Sequence, residues 1–90
     1  MRVALIARDK PDSLDLRLAT REAHLAHVET TGVVEMAGPL LDAAGEMSGS
    51  LIILNVPDMA TAQEWAARDP YAQAGLFEEV TLKEWKKVIG

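Results

Sequence analysis

Apolar and polar positions along this chain follow two periods, and the changes of period mark its elements. Arg2 to Arg8 is rich in Val, Leu and Ile and runs into Asp9-Lys10-Pro11-Asp12-Ser13, which reads as a strand leaving into a loop. Leu14, Leu18, Leu25 and Val28 then recur at helical spacing until Gly32, with Asp12 or Ser13 placed to cap the helix and Asp15 favouring its positive end. Val33 to Leu40 reads as a second strand, ended near Gly38-Pro39 because proline cannot donate to a ladder. A loop over Asp42 to Met47 leads to a third strand over Gly49 to Val56, and Pro57-Asp58 opens a second helix with Asp58 as its N-cap. Pro70 ends that helix, pushes Asp69 out of helical geometry and opens a short extra turn through Ala74-Gly75. A last long strand follows from Leu76, and its alternation breaks around Lys83-Glu84-Trp85-Lys86, as a bulge, an arm that crosses to a partner or a frayed end would produce.

The order β-α-β-β-α-β specifies an α+β, ferredoxin-like arrangement: a four-stranded antiparallel sheet with two helices on one face. Val3-Ala4-Leu5-Ile6-Ala7 and Leu51-Ile52-Ile53-Leu54 are apolar on both faces, whereas a sheet with one wet face would alternate. The helices cover one face only. The other is expected to pack on the sheet of a second copy, giving a homodimeric α+β barrel.

Ninety residues fit one domain, 1–90, and bury only roughly 60 to 65% of the surface that the unfolded chain exposes, which makes dimerisation a natural source of stability. With no cysteine there is neither a disulfide nor a thiolate nucleophile. Nine Lys and Arg residues against fourteen acids argue against nucleic acid, which needs a basic face. No apolar run approaches the ~18 residues of a membrane span, and the N-terminal apolar stretch is too short for a signal peptide, so a cytoplasmic protein is expected.

The candidate chemistry sits on the first helix and at the Asp-Pro break. At about 100° per residue His24 lies roughly 80° from the centre of the leucine stripe and His27 roughly 140°, so His24 borders the buried face and His27 looks at water. The same wheel sets Arg21 inside the stripe and Arg17 beside His24. A charge in an apolar stripe needs a partner or a ligand, so Arg21 is expected either to pair with an acid such as Glu35 or Asp69 or to hold an anion. His24 reads either as a half-buried histidine bonded to backbone or as a general acid or base. Asp69 reads as a cap for the turn after Pro70, as a partner for His24, or as both. Ser50 is a strand serine or a substrate-binding hydroxyl, and Tyr71 anchors its turn or supplies a second proton. The His24 and His27 pair lacks the carboxylates or cysteines of a structural zinc site, no glycine-rich dinucleotide loop is present, and the methionines with Trp65 read as core filling. No metal or cofactor is therefore expected.

Taken together, Ala7-Arg8-Asp9-Lys10-Pro11-Asp12-Ser13-Leu14, Arg21-x-x-His24-Leu25, Ala37-Gly38-Pro39, Gly49-Ser50, Asp69-Pro70-Tyr71 with Ala74-Gly75, and Lys86-Lys87-Val88 resemble the YciI-like (YCII-related) family of small dimeric α+β proteins. The resemblance implies that His24 and Asp69 form an acid-base pair in a cleft between helix and sheet. It also places the chain near muconolactone isomerase-type enzymes and a dehalogenating lyase of chlorinated hydroquinones. Two functions follow as expectations. One is isomerase- or lyase-type proton transfer on a small anionic or phenolic substrate held by Arg21, Arg17, Ser50 and Tyr71; the other is a non-catalytic ligand-binding or accessory dimer using the same polar cluster.

Overall fold

Parity along the first strand decides which residues meet the helices. The computed structural model describes residues 1–90. The elements are β1 (Arg2–Asp9), α1 (Leu14–Thr31), β2 (Val34–Leu41), β3 (Met47–Asn55), α2 (Met59–Arg68), α3 (Pro70–Gln73) and β4 (Phe77–Trp85). The strands form one antiparallel sheet in the order β2-β3-β1-β4. This is the ferredoxin-like arrangement, with the helices on one face. Val3, Leu5 and Ala7 pair with Leu54, Ile52 and Ser50, so all six side chains point to the helices. With Val56, Ala62 and Trp65 the apolar members make a dry core. Each fully buried Leu or Ile there contributes about 1.5–3 kcal/mol.

The opposite parity leaves an apolar face uncovered. Ile6, Leu51 and Met36 are 45%, 41% and 53% exposed on it. No helix is long and apolar enough to cross a membrane.

Several local features depart from the expectations. Strand β2 does not end at Gly38-Pro39 but continues to Leu41, with Pro39 opposite Ser50. It tolerates the proline because it is an edge strand. The irregularity of β4 lies where Arg8 gives way to Asp9, at its N-terminal end, and the pairing is regular from Arg8↔Glu79 to Arg2↔Trp85. No bulge occurs around Lys83 to Lys86; the strand ends within that stretch at Trp85, and residues 86–90 lie outside the sheet. At the start of α1, Ser13 occupies the cap position without a side-chain cap bond and donates instead to the Pro11 carbonyl. Asp58 does cap α2, accepting from the Thr61 N–H at 2.8 Å. Those bonds from Thr61 hold the Asp58 carboxyl below its usual range.

The largest correction concerns α1. The side chains that it buries are Arg17 and His24, whereas Leu18 and Leu25 are 52% and 47% exposed. The helix is turned roughly a quarter turn from its leucine stripe.

Gly49 adjoins the site and is held there by space. A Cβ at this position would run into the backbone carbonyl oxygen of Ala7 and approach Leu40 Cδ1 to 3.2 Å. Since the first obstacle is backbone, the strands themselves must move. Gly49→Ala is expected to cost about 1–3 kcal/mol in urea denaturation, and a stability equal to the parent would contradict this packing.

Candidate active site

Asp69 stands at the corner that Pro70 forces. It closes α2 and opens α3 with extended backbone (φ −59°, ψ 124°). Its Oδ1 accepts from the Tyr71 N–H at 3.0 Å and lies 2.8 Å from His24 Nδ1. The residue is fully buried, and Oδ2 is enclosed without a partner. An ionised carboxylate only accepts, so the Nδ1 proton points at Asp69 and a neutral ring carries its lone pair on Nε2. Nε2 has no partner within the chain and is not among the enclosed unpartnered atoms.

A second buried cluster adjoins this pair. Arg17 Nε donates to Asp9 Oδ2 at 2.7 Å, and Nη2 donates to Asp9 Oδ1 at 3.0 Å and to Ser50 Oγ at 2.8 Å. Tyr71 links the two clusters. Its ring stacks on His24 with centroids 4.1 Å apart and packs 4.7 Å from the Arg17 guanidinium carbon. The Tyr71 hydroxyl has no partner in the chain and is not enclosed. Its ring anchors the turn, and its oxygen is left without a partner in the chain.

Between α1 and the β2–β3 edge these groups open on a cleft of about 170 Å³. Its polar lining is Arg17, Arg21, His24, Ser50 and Tyr71, and Leu25, Pro39 and Ile52 are among its apolar lining. A cavity of about 150 Å³ holds a benzene molecule, so this one suits a single substituted ring. Larger hollows lie at the acidic β1–α1 turn, which reaches Asp9 alone of these buried polar groups, and on the open sheet face, which reaches none of them. No group of three or more His, Cys, Asp or Glu side chains is arranged to hold a metal ion.

Arg21 is not the buried charge that the wheel indicated. It is exposed at the cleft rim and forms no ion pair; Glu35 pairs with Arg2 at 2.7 Å, and Asp69 with His24. The charge inside is Arg17. Nor does His27 face water: its Nε2 donates to the Trp65 carbonyl at 3.2 Å, and its ring lies 4.6 Å from the indole. Asp9 was not among the candidates. Its signal was parity, because Val3, Leu5, Ala7 and Asp9 share the inward face of one strand.

Burial raises the Tyr71 phenol above its ordinary range, against the opposing pull of the Arg17 and Arg21 charges. Folding thus favours the neutral phenol. Its contribution to stability is present below the unfolded value of about 10 and is lost as pH rises through the folded one. As the chain has one tyrosine, tyrosinate absorbance reads this group alone. Its midpoint is expected above that of the urea-unfolded chain, and equal midpoints would contradict the burial.

Comparison with known proteins bears on the family and the fold. Protein YciI of Escherichia coli O6:H1 is 39% identical over 98 residues, covering 99% of this chain and 100% of that protein. An uncharacterised protein of Haemophilus influenzae is 34% identical with the same coverage. Among solved structures, a 5-chloro-2-hydroxyhydroquinone dehydrochlorinase (TftG) from Burkholderia phenoliruptrix, in complex with 2,5-dihydroxybenzoquinone, superposes with a TM-score of 0.88 at 29% identity over 96% of this chain and 94% of its own. An antibiotic biosynthesis monooxygenase shares the fold at 14% identity, with a TM-score of 0.61 and 98% of each chain covered. The order of elements and these likenesses converge with a match to the YCII-related domain over residues 1–86, and the chain belongs to that family.

Proposed function

We propose that this protein is a small enzyme that moves a proton on a single-ring phenolic substrate, with His24 Nε2 as the acid-base group and Asp69 holding the imidazole. The observation that carries this reading is the asymmetry of His24. Nδ1 is tied to a buried carboxylate while Nε2 is left open at a ring-sized cleft. A non-catalytic polar cluster would use both ring nitrogens within the protein. Asp69 fixes the tautomer and stabilises the imidazolium that forms when Nε2 takes a proton, the division of labour found in acid-base pairs. Positioned acid-base catalysis of this kind contributes about 10²–10⁴ in rate. The cations of α1, with Ser50 and Tyr71, hold the substrate oxygens.

The similarity to a dehydrochlorinase of a chlorinated hydroquinone supports a lyase reaction in particular. In that reaction Nε2 accepts a proton from the substrate, and chloride leaves with the carbon–chlorine bonding pair. HCl is lost, and no electron is drawn from the protein. Chloride release from 5-chloro-2-hydroxyhydroquinone, followed under anaerobic conditions, tests it. Release above the buffer rate supports the reading, and no release together with no binding of 2,5-dihydroxybenzoquinone removes it.

The same proposal includes a homodimer. Ile6, Leu51, Met36 and Trp85 lie on the open sheet face, and a second copy would cover them. Light scattering is expected to give twice the chain mass of 9.8 kDa. A concentration-independent monomer would contradict it.

A further inference from the structure

Two arginines of α1 border the cleft, and only one is built into the protein. Arg17 is buried, and its Nε and Nη2 are committed to both oxygens of Asp9 and to Ser50. Its remaining nitrogen, Nη1, bonds nothing in the chain and is not enclosed, on a side chain that lines the cleft. Arg21 lines the same cleft but is exposed and unpaired.

We infer that Arg17, not Arg21, is the anion anchor of the cleft, and that Asp9 is the positioning residue that aims it. This rests on the reading that the cleft takes a ring bearing an ionised oxygen. A guanidinium offers five N–H donors in one plane, and a two-point contact with a carboxylate fixes that plane. Asp9 supplies this contact from the end of β1, with side-chain exposures of 4% for Arg17 and 5% for Asp9. The Tyr71 ring, 4.7 Å from the guanidinium carbon, restrains the remaining direction. The two Nη1–H groups are therefore held in place before any ligand arrives, so little order is lost on binding. An oxyanion is then told from a neutral group of the same shape by charge-assisted hydrogen bonds whose direction Asp9 sets. Arg21, being exposed and unpaired, adds a screened attraction that steers an anion without selecting it.

Benzoate and its neutral isostere benzamide separate these roles when titrated into the full chain by calorimetry. Their affinity ratio does not depend on the fraction of protein folded, so a merely structural effect leaves it unmoved. The parent is expected to prefer benzoate by about tenfold or more, as a charge-assisted pair should. Asp9→Asn should remove most of that preference, and Asp9→Glu should restore part of it. Arg21→Gln should weaken benzoate by roughly threefold or less, with a smaller salt dependence. An undiminished preference in Asp9→Asn, or its loss in Arg21→Gln, overturns the inference while leaving the His24 reading intact. A parent without any preference overturns the oxyanion reading and this inference with it. Should Asp9→Asn fail to fold, Arg17→Lys keeps both buried charges and removes the Nη1–H groups. A several-fold fall in the preference then supports the inference, and an unchanged ratio overturns it.

Discussion

Asp69→Asn is expected to fold and to lose about two to four orders of magnitude in elimination turnover, the range that acid-base assistance supplies. The substitution keeps the shape of a fully buried side chain, and an amide oxygen can still accept from the Tyr71 N–H that caps α3. It removes the charge that stabilises the imidazolium. In the opposite amide orientation the NH₂ would face His24 Nδ1 and move the ring proton to Nε2, at the cost of the Tyr71 contact, because one oxygen of Asp69 makes both bonds. His24→Gln is expected to fall by a similar factor. Because the two residues act as one unit, the double variant should be little worse than either single one. Turnover within about threefold of the parent in Asp69→Asn would contradict the role assigned to the pair. So would losses that multiply in the double variant.

Arg17→Met should carry the largest stability penalty, about 3–5 kcal/mol, because it leaves the Asp9 carboxylate buried without a counter-charge. Domains are stable by only about 5–15 kcal/mol, so much of the fold's margin goes with it. Replacing both members, as Arg17→Met with Asp9→Leu, should recover most of the loss, since an apolar pair of similar volume carries no desolvation cost. Urea midpoints at unchanged slope measure both. A loss below about 1 kcal/mol in the single variant would show that Asp9 finds water or another partner. The account of a dry, preset cluster would then fail.

What the chain reveals of itself depends on how local each signal is. Gly32 does end α1, in left-handed geometry (φ 64°), and the Asp69-Pro70 corner does separate α2 from α3. Each is set by backbone constraints acting within a residue or two. The double-sided apolar character of β1 and β3 likewise shows through, in buried Leu5 and Ile52 on one face and exposed Ile6 and Leu51 on the other. The rotation of α1 was not legible. A helical wheel counts the leucines of one element and cannot see that Asp9, Asp69 and the Trp65 carbonyl stand on other elements ready to receive Arg17, His24 and His27. Those partners turn the polar stripe inward. The wheel consequently assigns Arg21 the place that Arg17 holds, and only the parity that Asp9 shares with Val3, Leu5 and Ala7 points to the buried acid. Pro39 misled for a related reason: whether a proline stops a strand depends on whether that strand lies at an edge, which sheet order alone decides.

The central claim is that a phenolic ring meets the free nitrogen of His24 in the cleft between α1 and β2. A crystal structure of the protein with a bound hydroxyquinone tests it most directly. The account predicts the ring between Tyr71 and Pro39, with one oxygen within about 3.2 Å of His24 Nε2 and an ionised oxygen on Arg17 Nη1. A ring lodged on the open sheet face or at the acidic β1–α1 turn, with Nε2 untouched, would contradict it.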